Sequence, residues 1–159
     1  MISVVIPTLN DGARLVACLA PLVAASMAGL VRELVIVDAG STDATLDIAD
    51  DAGAKIVRSG GGIGAGLAAA KGPWVLALDP GVRLERGWEV AVQRHIETSR
   101  QPARFRLYRA DAGWPARLVA PRATAVLFLK QAGDGRGGGL DANALRRLGG
   151  RRLDVRGAV

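Results

Sequence analysis

The chain has 159 residues, of which 50% are hydrophobic and only 4% aromatic. This length suits one domain with a real core, and so apolar a composition argues against disorder. Cys18 is the only cysteine, which excludes an intrachain disulfide and fits a reducing compartment. The first strand pattern begins almost at Met1, so we expect no signal peptide. We therefore predict a single cytoplasmic domain over residues 1–159.

The net charge of +6 is unevenly distributed along the chain. Residues 1–90 carry 7 basic and 10 acidic side chains, whereas residues 91–159 carry 14 basic and 5 acidic ones. Such a basic segment can face phosphates, an anionic membrane surface or nucleic acid, or can be an ordinary solvated surface. Its few aromatic residues form no evident stacking platform, so we expect no nucleic-acid binding. Peripheral contact with a membrane stays open.

Apolar runs alternate with helical patterns over the first 98 residues. This β-α-β-α-β-α-β order predicts an α/β fold in three α/β/α layers around a mostly parallel sheet. Pro21 is expected to kink or divide the first helix. We predict strands at residues 3–6, 34–37, 55–57 and 74–78, and helices at residues 13–27, 42–52, 67–71 and 88–98.

The pattern is weaker after residue 100. Phe105 and Leu107 alternate with arginines as in a strand with one buried face, and the apolar residues 125–129 predict another strand. A glycine-rich loop is expected at residues 133–139. It precedes a short helix at residues 141–148, followed by a strand around residues 153–155.

An uncharged segment in the first helix calls for a comparison with membrane spans. Residues 15–31 contain 17 residues without a charge, which is at the short limit for crossing a bilayer. They also include Pro21 and Gly29. We therefore expect a buried amphipathic helix here.

Polar residues directly follow the first two predicted strands. The turn at residues 8–12 follows one strand, and Asp38 follows the other. Open α/β sheets bind ligands at the carboxyl ends of their strands, where the Asp38 carboxylate can accept hydrogen bonds from a ribose or a base. The alternative is that these polar residues only cap the next helices, with Asn10 or Asp11 on the first and Ser41 or Thr42 on the second.

Two segments carry a resemblance to a known family. Residues 37–43, Val-Asp-Ala-Gly-Ser-Thr-Asp, resemble the V-D-x-G-S-T-D signature of family 2 glycosyltransferases, which have the GT-A nucleotide-sugar fold. Residues 4–11, Val-Val-Ile-Pro-Thr-Leu-Asn-Asp, are similar to the family's opening strand and P-x-x-N-E/D turn. The resemblance extends over about residues 2–90. It implies a substrate-binding role for Pro7, Thr8, Asn10, Asp11, Asp38, Gly40 and Ser41.

Two further segments of the resemblance concern the diphosphate. Residues 76–81, Leu-Ala-Leu-Asp-Pro-Gly, align with the family's L-D-x-D, which holds a divalent metal, Mg²⁺ or Mn²⁺. The resemblance makes Asp79 the metal ligand, although Gly81 replaces the second acid. The loop at residues 58–66 lies where relatives place cationic side chains, which implies a substrate-binding role for Arg58. Asp79 as a turn residue and the loop as a flexible surface segment are the alternatives.

The resemblance also implies a catalytic base. Inverting members use an acid just before a helix rich in leucine and arginine, and residues 138–149 keep this frame with Asp141 as the only acid. Asp141 can accept the acceptor's proton, or it can be an ordinary N-cap. The implied reaction is metal-assisted, inverting transfer of a sugar from a UDP- or GDP-type donor to a hydroxyl acceptor, lipid-linked acceptors included. Residues 1–90 would be the nucleotide-binding half and residues 91–159 a shortened, basic acceptor half.

Two alternatives remain for the function. Ala39, Gly81 and the missing acid beside Asp141 depart from the family pattern, as expected of a catalytically impaired nucleotide-binding or scaffold protein. The second is a dinucleotide-binding protein, because residues 60–65 match the loose fingerprint G-x-G-x-x-A and Asp79 follows about 20 residues later. The predicted helix after this loop is short for such a unit.

Overall fold

The computed structural model describes residues 1–60, 62–105, 125–130 and 151–153. Within these residues, strands and helices alternate up to the fourth helix. The elements are β1 (Ile2–Thr8), α1 (Gly12–Met27), β2 (Val31–Asp38), α2 (Thr45–Asp51), β3 (Lys55–Arg58), α3 (Ile63–Ala69), β4 (Trp74–Leu78), α4 (Trp88–Thr98), β5 (Ala103–Phe105), β6 (Ala125–Leu129) and β7 (Arg151–Leu153).

The described strands form one sheet in the order β3-β2-β1-β4-β6-β5-β7. β1 is parallel to β2 and β4, β2 is parallel to β3, and β5 is parallel to β7. Only β6 among these strands runs antiparallel to its neighbours, β4 and β5. A helix connects each strand from β1 to β4 with the next along the chain, as crossovers between parallel strands require. The predicted mostly parallel α/β sheet is confirmed.

Helices cover both faces of the sheet. On one face, α1, α2 and α4 bury Leu15, Ala49 and Val92 in the larger core cluster. On the other face, α3 buries Ile63 and Leu67 against the opposite side chains of the strands. Because successive side chains of a strand point to opposite faces, a strand buried on both needs a continuous apolar run. The three-layer prediction is confirmed.

The first helix turns one stripe of residues toward the sheet. Leu15, Cys18 and Leu22 are buried at helical spacing. Pro21 lies inside α1, which nevertheless continues as one element. Of the two predicted effects of Pro21, division of the helix does not occur, and buried residues on both sides of Pro21 hold α1 on the sheet. None of the helices in the described ranges is long and apolar enough to cross a membrane.

Several predicted boundaries differ from the structure by a few residues. α2 begins at Thr45 instead of residue 42, because residues 41–43 are used in hydrogen bonds to the neighbouring turn. α3 begins at Ile63, four residues before the predicted start, since that side chain packs into the core. β7 covers Arg151–Leu153, two residues earlier than predicted.

Several predictions after residue 100 concern residues that the structure does not describe. The strands at Phe105 and at residues 125–129 are confirmed as β5 and β6. Leu107, the loop at residues 133–139 and the helix at residues 141–148 with Asp141 lie outside the described residues.

Candidate functional site

The carboxyl ends of four parallel strands meet at one edge of the sheet. The register places Thr8 beside Asp38 and Asp38 beside Arg58. Asp79 directly follows β4, the neighbour of β1 on its other side. Polar residues from β1 to β4 therefore gather at the edge where open α/β sheets bind ligands.

Two open clefts lie side by side at this edge, and Ala39 and Ser59 line both of them. The β4 cleft has a volume of about 380 Å³ and is lined by Pro7, Thr8, Leu9, Asp11, Arg14, Val37, Ala39, Ser59, Gly62, Asp79 and Pro80. The β3 cleft has a volume of about 420 Å³ and is lined by Asp38, Ala39, Gly40, Ser41, Leu46, Arg58, Ser59 and Gly60.

Most of the predicted site residues line one of the two clefts. Asn10 lines neither cleft, and Asp141 lies outside the described residues. The β4 cleft receives Pro7, Thr8, Asp11 and Asp79, and the β3 cleft receives Asp38, Gly40, Ser41 and Arg58.

The carboxylate of Asp38 is buried and is bonded to its own turn. The residue is only 2% exposed. Its oxygens accept hydrogen bonds from the Gly40 amide at 3.0 Å, the Ser41 amide at 3.0 Å and the Ser41 hydroxyl at 2.5 Å. Burial favours a higher pKa for Asp38, but these hydrogen bonds and one from Thr8 outweigh it and keep the pKa below its usual value. The charged side chain therefore fixes the shape of the turn that lines the β3 cleft.

The turn after β1 is bonded to the turn after β2 through Asn10. The Asn10 amide donates to the Ser41 hydroxyl at 2.9 Å, and the Asn10 side-chain oxygen accepts from the Thr42 amide at 2.8 Å. Asn10 has a left-handed backbone with φ of 53°, which asparagine tolerates better than most residues. Its role in the described structure is to hold the two turns together.

The same two turns meet again at the start of α1. The Asp11 amide donates to the Thr45 hydroxyl at 2.9 Å, and the Gly12 amide donates to Asp43 Oδ2 at 3.1 Å. Asp43 also accepts from the Thr45 hydroxyl, and this bond is the main cause of its lowered pKa. Neither α1 nor α2 is capped by the side chain of its own N-cap residue. The predicted capping alternatives are therefore wrong. The Gly12 amide at the start of α1 donates instead to Asp43, which lies in the turn after β2.

Arg14 lines the candidate site, and the sequence analysis did not predict it. It extends from the first turn of α1 into the lining of the β4 cleft. Its Nη1 lies 2.6 Å from Asp11 Oδ1, and its Nη2 donates to the Pro80 carbonyl at 2.7 Å. The only signal in the sequence was the i, i+3 spacing from Asp11 on a helix. Ser59 was also missed, although it directly follows the end of β3.

The oxygen donor at the predicted metal position is Asp79 in the β4 cleft. Gly81 supplies no side-chain ligand, and the described part of the chain contains no group of three His, Cys, Asp or Glu side chains placed to hold a metal ion. Cys18 is no candidate ligand, because burial and then the charge of Asp79 raise its pKa to about 12. A metal here would take one carboxylate from the described residues and its other oxygens from a bound anion and water.

The sheet order, the three layers and the ligand edge define an α/β protein of the GT-A type. The chain belongs to glycosyl transferase family 2, since the family model matches residues 3–101. That range contains every residue that lines the two clefts. A comparison with curated proteins found no match.

Solved structures similar to this chain include several of glucosyl-3-phosphoglycerate synthase from Mycobacterium tuberculosis. One, in complex with Mn²⁺, UDP and phosphoglyceric acid, is 24% identical with a TM-score of 0.56, over 82% of this chain and 56% of that chain. Another structure of the same synthase is 26% identical with a TM-score of 0.55, over 82% of this chain and 58% of that chain. A third contains Mg²⁺ and UDP, at 24% identity and a TM-score of 0.56, over 82% and 57%. The chain thus spans little more than half the length of these proteins.

The dinucleotide-binding alternative is not supported. Gly60, Gly62 and Ala65 of its fingerprint lie at the start of α3, which has only 7 residues. A dinucleotide-binding unit needs a longer crossover helix, and its fingerprint follows the first strand of the domain. The family match covers the same residues.

Proposed function

We propose that this chain transfers a sugar from a nucleotide-diphosphate donor to a hydroxyl acceptor, with inversion at the anomeric carbon. The observation that carries the proposal is the placement of Asp79 and Arg58 in adjacent clefts at the carboxyl edge of the parallel sheet. In open α/β folds this edge takes nucleotides. Membership of glycosyl transferase family 2 supports the reaction type.

The donor would lie across both clefts, with its nucleoside in the β3 cleft and its diphosphate in the β4 cleft. The β3 cleft offers the turn at Gly40 and Ser41, the apolar side chain of Leu46 and the cation Arg58. Solved relatives hold UDP or UDP-glucose, which supports a uridine donor over a guanosine one. Ala39 and Ser59, which line both clefts, would then face the ribose and the first phosphate.

A divalent metal fits this arrangement if it arrives together with the nucleotide. Magnesium commonly binds one or two carboxylates together with substrate phosphates and water. Asp79 alone can therefore supply the protein's carboxylate ligand. Relatives that contain Mn²⁺ or Mg²⁺ beside UDP support this cofactor. When bound, the metal would act as a Lewis acid that stabilises charge on the leaving diphosphate.

The chemistry needs a base on the acceptor side. The acceptor hydroxyl oxygen forms a bond to the anomeric carbon, opposite the donor phosphate oxygen. The bond between that carbon and the phosphate oxygen breaks, and the nucleoside diphosphate leaves with the electron pair. The hydroxyl proton passes to a carboxylate. We propose Asp141 as this carboxylate, solely because of its position in the family pattern at residues 138–149.

The acceptor would be bound by the basic half of the chain. Residues 91–159 carry 14 basic and 5 acidic side chains, which favours an acceptor that bears phosphate or carboxylate groups. Some of the similar solved structures contain phosphoglyceric acid, a hydroxyl compound with both groups. A lipid-linked acceptor at a membrane surface is the other expectation that this charge supports.

Calorimetric titration of UDP and GDP, with and without Mn²⁺, tests the proposal. We expect UDP to bind, and Mn²⁺ to tighten the binding. Asp79→Asn should reduce the gain from Mn²⁺ by about tenfold, as for loss of a charged ligand. Asp50→Asn is the matched control, because Asp50 is an exposed carboxylate at the far end of α2. Failure of both nucleotides to bind the wild type would refute the donor assignment.

One observation favours a second candidate, a nucleotide-binding protein without transferase activity. Gly81 stands where the family has its second metal-binding acid, and the described residues contain no group of three His, Cys, Asp or Glu side chains placed to hold a metal ion. This candidate predicts that UDP binds equally well with and without Mn²⁺, and that Asp79→Asn changes neither value. Hydrolysis or transfer of the sugar from UDP-glucose, followed by release of UDP, would exclude it.

A further inference from the structure

The space beside Gly81 is occupied by the side chain of Arg14. Gly81 is buried and has a left-handed backbone, with φ of 81°. A Cβ built on Gly81 would lie 3.1 Å from Arg14 Nε and 3.5 Å from Arg14 Cβ. Where the family pattern has a carboxylate, this chain therefore has a guanidinium against a bare backbone.

Two anchors hold this guanidinium between the turns that form the β4 cleft. Nη1 lies 2.6 Å from Asp11 Oδ1, and Nη2 donates to the Pro80 carbonyl at 2.7 Å. The Arg14 side chain keeps 31% of its surface exposed while it lines the cleft. The cation is thus fixed in direction and still open to the cleft.

The charge of the β4 cleft would otherwise oppose an anionic ligand. Its charged lining residues in the described structure are Asp11, Asp79 and Arg14. The turn that follows β3 contributes Ser59 and Gly62, neither of which is charged. Of the described lining residues, Arg14 alone can offer a positive charge to a diphosphate placed there.

We propose that Arg14 is a direct ligand of the donor's diphosphate and binds it whether or not a metal is present. A guanidinium presents a planar fork of donors that matches phosphate oxygens. The proposal rests on the proposed function, because it takes the β4 cleft as the diphosphate site. It also implies that a free dication is repelled by Arg14, so that the metal enters only with the nucleotide.

A purely structural role for Arg14 makes a different prediction. If Arg14 only joined the turns after β1 and β4, its loss would loosen the whole edge and weaken every ligand alike. If it binds the diphosphate, its loss weakens UDP and leaves uridine, which has no phosphate, almost unchanged. The ratio of the two affinities separates these roles.

The test is an NMR titration of UDP and of uridine into the full chain in EDTA. Arg14→Gln should weaken UDP by about tenfold to a hundredfold and uridine by less than about threefold, the range for losing charge-assisted hydrogen bonds. Arg14→Lys keeps the charge but loses the planar fork of donors, so its affinity for UDP should lie between those of the wild type and Arg14→Gln. Arg32→Gln is the matched control for net charge, because Arg32 is exposed at the opposite end of β2.

A second variant tests the same cation without removing it. Gly81→Asp would place a carboxylate against Arg14 and should lower the metal-free affinity for UDP about tenfold. Gly81→Asn, which is uncharged and tolerates the same backbone, should lower it much less.

The outcomes are distinct. Equal weakening of UDP and uridine in Arg14→Gln, or no weakening of either, overturns the proposal while the proposed function stands. Failure of the wild type itself to bind UDP overturns both.

Discussion

Gly66 lies where α3 packs most closely on the sheet. A Cβ at this position would be 2.5 Å from Val5 Cγ1 and in still closer contact with Val37 Cγ2. Both valines are almost completely buried, and β-branched side chains have little freedom to rotate. We therefore expect Gly66→Ala to push α3 away from the strands that carry the two clefts.

Two opposing effects set the magnitude of this change. Overpacking a filled core costs about 1–3 kcal/mol. Alanine is about 1 kcal/mol better than glycine inside a helix, which offsets part of that cost. At a contact as short as the one with Val5 the steric cost is in the upper part of its range, so we expect a net loss of about 1–2 kcal/mol.

Urea unfolding, followed by circular dichroism, measures this loss as a lower midpoint at an unchanged slope. Gly60→Ala is the matched control, because its Cβ would meet nothing within 4 Å. Combining Gly66→Ala with Val37→Ala should cost less than the sum of the two single changes, since the space that one fills the other vacates. A Gly66→Ala protein as stable as the wild type would refute the close packing of α3.

Three further predictions concern the site and its support. Thr45→Val should lower the free energy of unfolding by about 1–3 kcal/mol, because it leaves the Asp11 amide without its acceptor. Thr45→Ser keeps the hydroxyl and should retain most of the wild-type stability. Equal losses of stability for the two variants in urea unfolding would contradict this reason. The folded-state pKa of Asp38 is lowered, so its stabilisation is complete above the unfolded pKa of about 3.9 and is lost as pH falls through the lower folded value. The free energy of unfolding, measured from pH 7 to pH 3, should depend less on pH in Asp38→Asn than in the wild type. An unchanged pH dependence would rule out the contribution of Asp38 to stability. Cys18, whose pKa is about 12, should resist iodoacetamide at pH 8 until the chain unfolds, and fast labelling of the native protein would disprove its burial.

Local patterns were enough to predict most of the fold. Residues 4–6 of β1, residues 35–37 of β2 and all of β4 are continuous apolar runs, and the structure buries them in the sheet. A polar residue ends or follows each strand, so the ligand edge could be predicted from strand ends alone. Thr8, Asp38 and Asp79, which lie at the ends of their own strands, were therefore predicted as candidates, and each of them lines a cleft.

Residues whose role depends on a distant partner could not be found in this way. The start of α2 was predicted three residues too early, because Ser41 and Thr42 bond to Asn10, 31 and 32 residues before them. Arg14 meets the Pro80 carbonyl across 66 residues of sequence. Neither contact leaves a periodic signal, and both form only when strands pair and turns come together.

Two signature residues of the family shape the clefts through their hydrogen bonds. Asp38 bonds to its own turn, and Asn10 bonds to the neighbouring one, so these residues preform the two clefts. A ligand in the clefts would also meet Ala39, Ser59 and Arg14, none of which is an acid of the family pattern. A strong signature match and a missing acid at position 81 are therefore compatible. The signature residues shape the turns, whereas the residue at position 81 affects the charge of the β4 cleft. On the proposed function, activity would therefore depend on whether Arg14, together with a metal held by Asp79, offsets the charge of a diphosphate, which the number of acids in the motif does not determine.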